Sequence, residues 1–357
     1  MTSLFDSVSF AHGPAMKNRF MLAPLTNQQS NPDGTLSEEE FTWLVKRAEG
    51  GFGLTMTCAS HIQAIGQGFA GQLGCFGDEH LAGLTRLATA INKNDSVSYV
   101  QLHHAGRRSP ADLIGTTPVS SGDDEKVGAR AMTTAEVEAM VEAFIEAAVR
   151  SEKAGYNGVE LHGAHDYVLC QFLNAELNVR NDQYGGSLEN RSRVIFDIID
   201  GIRARCGEDF AVAVRLSPER FGMKTQEIVE VFGRLVDTGK VDMIDMSLWD
   251  CFKEAADEDF GGQPLVDIFA NLERGNTRLA VAGKLYSTAD AQRAVDAGAD
   301  MVAIGRAAVT NHDFPTQSHD PNFAMRTLPV AREILRAEGL SDAFIGYMGN
   351  WPGFVAD

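Results

Sequence analysis

Short apolar runs alternate with longer stretches of helical period along most of this chain. Runs at Arg19–Leu25, Phe52–Ala59, Ser96–Leu102 and Gly158–Leu161 predict buried strands, as do Phe210–Leu216, Val241–Met246, Thr277–Ala282 and Met301–Ile304. Helices are predicted between them. Ser37–Glu49 opens on a serine cap and an acidic first turn and stops at Gly50-Gly51. Thr134–Lys153 is rich in Ala and Glu and stops at Gly155; Ser187–Arg205 opens on Ser with Glu189 following; Thr288–Ala297 ends at Gly298. Eight strands alternating with helices imply parallel βα units, which close most economically as a single-domain (β/α)8 TIM barrel over residues 1–357. A doubly wound open sheet would place a G-x-G-x-x-G turn after its first strand. Here that strand leads into Ala23-Pro24-Leu25-Thr26. Three connections, at roughly 106–132, 174–186 and 249–276, are too long for plain linkers, and loops of that length are usually functional.

Barrel enzymes build their sites at the C-terminal ends of the strands. Collecting those ends brings together Thr26, Ala59, Gln101, His104, His162, His165, Arg215, Gly283 and Gly305-Arg306. The densest chemistry follows the fourth strand, where VELHGAHDY carries His162, His165 and Tyr167. Two imidazoles can donate to a carbonyl or nitro oxygen, and a phenol can deliver a proton. A core would need a partner for each such polar tip. Gly283 with Lys284, and Gly305 with Arg306, end the last two strands, the usual phosphate site of this barrel; simple turns are the alternative. Arg215, inside AVAVRLSP, must be paired or face a ligand. It is either a salt bridge within the barrel or a cation beside a flavin ring, with Gln101 and Thr26 on the ring's polar edge.

Composition narrows the partners. A formal net charge of -18 repels phosphate backbones, which argues against nucleic acid and gives no sign of a membrane surface. Cys58, Cys75, Cys170, Cys206 and Cys251 form no C-x-x-C pair, which points to reduced thiols and a cytoplasmic protein. No signal peptide is visible, and no apolar run approaches the ~18 residues that span a bilayer. His103-His104 add two imidazoles, but neither H-E-x-x-H nor G-x-S-x-G is present, so no metal site and no serine nucleophile is expected.

At these residues the chain resembles the Old Yellow Enzyme family of FMN-dependent ene-reductases. The likeness runs through NRFMLAPLT, QLHHAGR, LHGAHDYVLCQFLN, NVRNDQYGGSLENRSR, AVAVRLS and GADMVAIGRAAVTNHDFP, in that order. The resemblance implies bound FMN, with NADH or NADPH as co-substrate and small activated alkenes as partners. It implies that Ala23, Pro24, Leu25 and Thr26 line the flavin ring and that Ala59, Gln101 and Arg215 meet its polar edge. Gly283, Lys284, Gly305 and Arg306 would hold the phosphate. His162 and His165 would clamp the substrate oxygen, and Tyr167 would donate the proton. Tyr184-Gly185-Gly186, Ser187, Asn190 and Arg191 read as a turn, a cap and network residues even within the family.

The chain also departs from the pattern. Some relatives carry Cys where Thr26 stands, and Gln28 occupies the place of a substrate-contacting tyrosine. Gln28 and Phe69 are nonetheless included as substrate contacts, and Phe69 with Phe76 either roofs the flavin or packs in the core. No Arg or Lys follows Arg336, so no C-terminal arginine reaches a neighbouring subunit. The GYMGNWPGF tail packs through Trp351 and Phe354 either on a partner, in a homo-oligomer, or on its own barrel. Two other functions stay open: another flavin-barrel reaction, on a dienoyl thioester or an amine, and flavin binding without catalysis.

Overall fold

The computed structural model describes residues 2–356. Eight parallel strands close into one barrel: β1 (Phe20–Leu22), β2 (Leu54–His61), β3 (Val97–His103), β4 (Gly158–Gly163), β5 (Ala211–Leu216), β6 (Met243–Ser247), β7 (Arg278–Ala282) and β8 (Met301–Ile304). The ring shuts where β1 pairs with both β2 and β8. Each strand is followed by a helix: α1 (Glu38–Glu49), α2 (Leu81–Asn92), α3 (Thr134–Lys153), α4 (Leu188–Arg205), α5 (Thr225–Asp237), α6 (Leu265–Ala270), α7 (Thr288–Asp296) and α8 (Arg306–Thr310). The barrel is therefore a (β/α)8 fold. The caps explain the helix starts. Ser37 accepts from Glu40 N, Ser187 accepts from Asn190 N, and Thr133 with Glu136 and Ser287 with Asp290 form capping boxes.

Side-chain alternation sorts two cores. β5 sends Val212, Val214 and Leu216 into the layer beneath the helices, and Ala211 and Ala213 into the lumen. In β7, Leu279 and Val281 face out while Ala280 and Ala282 face in. In these two strands the bulkier residues fill the outer shell and the alanines face the interior. Strand β2 breaks this alternation usefully. Leu54 and Met56 face the lumen, but the register shifts between Met56 and Ala59. The irregularity turns Cys58 out to the helix layer and brings Ala59 beside Gln101 at the top of the barrel. At the bottom, Val8 and Met16, joined by an antiparallel bridge, complete the lumen core and plug it.

The three long connections have structure of their own. The 106–132 segment folds back as a small two-stranded sheet, pairing Val119 with Arg130 and Ser120 with Ala131. The 174–186 loop is tied by Asn178, whose amide donates to Phe172 O and Tyr184 O. The chain ends on a short helix, α9 (Asp342–Met348), that packs on α1: Phe344 meets Trp43 edge-on at 5.4 Å, and Phe354 is buried. Trp351 and Phe354 therefore lie on their own barrel.

Gly50 shows how tightly this C-terminal segment is seated. Its φ is -71°, so it is not needed for left-handed backbone. An added Cβ would instead lie 2.1 Å from His312 O, where backbone cannot move aside. Gly50→Ala is expected to lower stability by about 1–3 kcal/mol through overpacking. Thermal unfolding of the purified variant checks this, and an unshifted midpoint would contradict it.

Candidate active site

At the C-terminal ends of the strands the barrel opens into a cavity of about 340 Å³. The loop after β1 supplies Ala23, Pro24, Leu25 and Thr26 to its wall; Ala59, Gln101 and Arg215 come from β2, β3 and β5. His162, His165 and Tyr167 enter from β4 and the turn after it, and Gly283, Lys284, Gly305 and Arg306 from the ends of β7 and β8. These dispersed residues share one enclosure.

Neither Gln28 nor Phe69 is among the residues that line the cavity. Gln28 sits in a left-handed kink (φ +56°) whose carbonyl crowds Gly71, and so serves the loop's course. Phe69 follows Gly66–Gly68, on the far side of the β2 and β3 ends, where its carbonyl accepts from the Gln67 amide. Phe76, half-buried, packs between His61 and His80 and does not line the cavity. His104 also misses the cavity. It is buried against Gly66, and its Nδ1 accepts from Gly106 N at 2.9 Å.

The sequence reading missed several wall residues. Ser247 ends β6 and Trp249 follows it, Tyr286 follows β7, and Phe344, Tyr347 and Met348 come from α9 with Trp351 beyond it. Tyr347 and Trp351 meet edge-on at 4.8 Å and close the side opposite the histidines. Tyr347 and Thr26 line the same cavity, so the tail is brought against the loop after β1. The spacing of four between Tyr347 and Trp351 in GYMGNW was the available signal: an aromatic pair on one helical face.

Beneath the cavity lies a sealed polar layer. Gln101 Nε2 donates to Glu160 Oε1 at 2.7 Å, and Arg215 Nε lies 3.0 Å from Asp245 Oδ2. Arg215 is therefore ion-paired within the barrel and also lines the cavity. One guanidinium serves two buried carboxyls. Burial, with Asp245 adding to it, pushes Glu160 up to about 8, and burial raises Asp245 too.

The histidines are neutral for the same reason. Burial holds His162 and His165 well below the usual imidazole range, and Arg215 opposes a second positive charge on each. His162 Nδ1 accepts from Ala164 N at 3.3 Å, which leaves its Nε2 to carry the hydrogen. Nε2 lies 3.4 Å from His165 Nδ1, and His165 Nε2 lies 2.7 Å from Ser247 Oγ. Tyr167 stands over them, its ring edge-on to His103 (4.3 Å) and His162 (4.8 Å). Burial pushes its phenol up, so it keeps its proton at neutral pH.

These features match a flat aromatic ring with a phosphate tail. Ala23, Ala59, Ala282 and Ala303 leave a shallow apolar bed, Gln101 and Arg215 supply a polar edge, and Lys284 and Arg306 place two cations at one lip. Gly283 has no room for a Cβ, which would lie 2.7 Å from Asp250 N. A family model described as the NADH:flavin oxidoreductase / NADH oxidase family matches residues 3–320. The solved structure of the Old Yellow Enzyme homologue from Zymomonas mobilis is 27% identical with a TM-score of 0.80, covering 96% of this chain and 99% of that one. The chain belongs to the Old Yellow Enzyme family.

Curated relatives agree. This Old Yellow Enzyme is 32% identical over 334 residues to the "probable NADH-dependent flavin oxidoreductase YqiG" of Bacillus subtilis (strain 168), covering 90% of this chain and 87% of that protein. It is 29% identical to the NADH:acrylate oxidoreductase of Vibrio harveyi over 86% of its own length, but spans only 32% of that longer protein. It is an NAD(P)H-dependent oxidoreductase with FMN as its bound cofactor. Among the described residues no helix is long and apolar enough to cross a membrane. Because burial depresses both imidazoles, ¹⁵N-histidine NMR should show His162 and His165 as neutral tautomers at pH 6. An imidazolium signature from either at that pH would contradict the electrostatics described.

Proposed function

We propose that this Old Yellow Enzyme reduces the C=C bond of alkenes activated by a carbonyl or nitro group. The observation that carries this reading is the convergence of two neutral imidazoles and one protonated phenol on the cavity that also holds the Gln101–Arg215 edge. Neutral imidazoles are suited to donating hydrogen bonds without giving up a proton. A phenol beside them is suited to giving one up.

FMN, when bound, supplies the hydride-carrying chemistry between nicotinamide and alkene. The chain's own residues do the rest. Pro24, Leu25 and the alanines bed the ring, while Gln101 and Arg215 meet its polar edge. Arg215 is suited to stabilising negative charge there, because Asp245 holds its guanidinium in place. Lys284 and Arg306 bind the phosphate. Lys284 is itself balanced by Asp250 at 2.9 Å, and Arg306 Nη1 is steadied by the Tyr286 hydroxyl at 3.1 Å. His162 and His165 hydrogen-bond the activating oxygen, which makes the β-carbon electrophilic. Tyr167 protonates the α-carbon. Trp249, Tyr347 and Trp351 form the rim that a substrate must pass, so they set its size and orientation.

Two measurements test this. Tyr167→Phe should slow reoxidation of the reduced enzyme by 2-cyclohexenone about 10²-fold in anaerobic stopped-flow; a parent-like rate would remove Tyr167 from the role. Arg306→Ala deletes a charge-assisted phosphate bond worth about 1.5–3 kcal/mol, so FMN dissociation should strengthen about ten- to a hundredfold by fluorescence titration. Unchanged retention would displace the phosphate from that lip.

A further inference from the structure

The turn that carries His165 and Tyr167 is strained. His165 (φ +61°) and Asp166 (φ +62°) are consecutive side-chain-bearing residues in left-handed backbone. Such conformations persist only where their surroundings hold them. Two neighbouring arginines from the turn after β3 do so, in different ways. Arg107 grips the Asp166 carboxylate through Nε (3.2 Å) and Nη2 (2.7 Å) and bonds Asp124 through Nη1 at 2.7 Å. Its charge is neutralised. Arg108 Nη1 instead donates to the His165 carbonyl at 2.7 Å, and its guanidinium carbon lies 5.0 Å from the centre of the Tyr167 ring. Among the described residues no carboxylate lies within ion-pair distance of Arg108.

The Tyr167 phenol faces four other groups: the neutral rings of His103 and His162, Tyr347 from α9, and Asp166 on its own turn. With Asp166 held by Arg107, Arg108 is the uncompensated charge in that set. It acts to lower the phenol against the burial that raises it.

We propose that Arg108 is a positioning residue for proton delivery by Tyr167: hooked to the His165 carbonyl, it presents its charge to the ring face and stabilises the phenolate that forms. The step breaks the Tyr167 O–H bond and forms a C–H bond at the α-carbon, the electron pair staying on the phenol oxygen, which then regains a proton from water. A cation over an aromatic face is attracted by it, and more strongly once the ring carries negative charge. This inference rests on Tyr167 being the proton donor.

Four variants separate the possibilities: two at Arg108, Tyr167→Phe, and a double variant. Arg108→Gln keeps a donor for the His165 carbonyl and removes the charge; Arg108→Lys keeps the charge. In anaerobic stopped-flow with 2-cyclohexenone, Arg108→Gln should reoxidise about tenfold more slowly, with a larger solvent deuterium isotope effect, and Arg108→Lys should recover most of the loss. In the Tyr167→Phe background, Arg108→Gln should add nothing. A parent-like rate in Arg108→Gln, an equal further loss in the Tyr167→Phe background, or loss of bound FMN in both Arg108 variants would overturn the assignment. If Tyr167→Phe alone reoxidises at the parent rate, the proton-donor reading fails instead.

Discussion

A closed parallel barrel leaves no strand face open to water, so a charge on an inward position must find its partner in the lumen. That requirement organises the top of this molecule. Arg215, Asp245, Glu160 and Gln101 occupy adjacent inward positions of four consecutive strands, paired in register as Gln101 with Glu160 and Arg215 with Asp245. A single guanidinium for two carboxyls leaves one acid best accommodated as its neutral form. The layer is costly to bury, and separating its members would be costlier still. It gives the cavity a floor whose hydrogen bonds are fixed before any ligand enters. The two histidines owe their neutrality chiefly to burial, and the charge of Arg215, in register with His162, adds to it.

Strand order and the strand-end residues were readable because both follow from short-range pattern. Apolar runs of strand length, serine caps and glycine stops specify βα units, and the fold places the end of every strand at one face. His162, His165, Tyr167, Gln101 and Arg215 all sit at such ends, and they meet in one cavity. Gln28 and Phe69 are not among the lining residues; they lie beyond the strand ends, where the path of the loop and not the strand register decides what a side chain faces. Gln28 turns through left-handed backbone that no local pattern announced. Ala59 reached the cavity only through the irregularity in β2, which simple alternation would have assigned to Cys58.

The C-terminal residues were hidden for a different reason. Phe344, Tyr347 and Trp351 are far along the chain from every strand end, and they reach the cavity because α9 packs on α1 through Phe344 and Trp43. Buried Arg47 strengthens that attachment, donating to the carbonyls of Glu338 and Ala308 and joining the first helix to the last segments. Only the packed fold contains this information.

Thr26 and Tyr347, far apart in sequence, line the same cavity. The aromatic rim is consequently supplied by the same molecule as the bed it covers. A chain interrupted before α9 would therefore present the histidines without that rim.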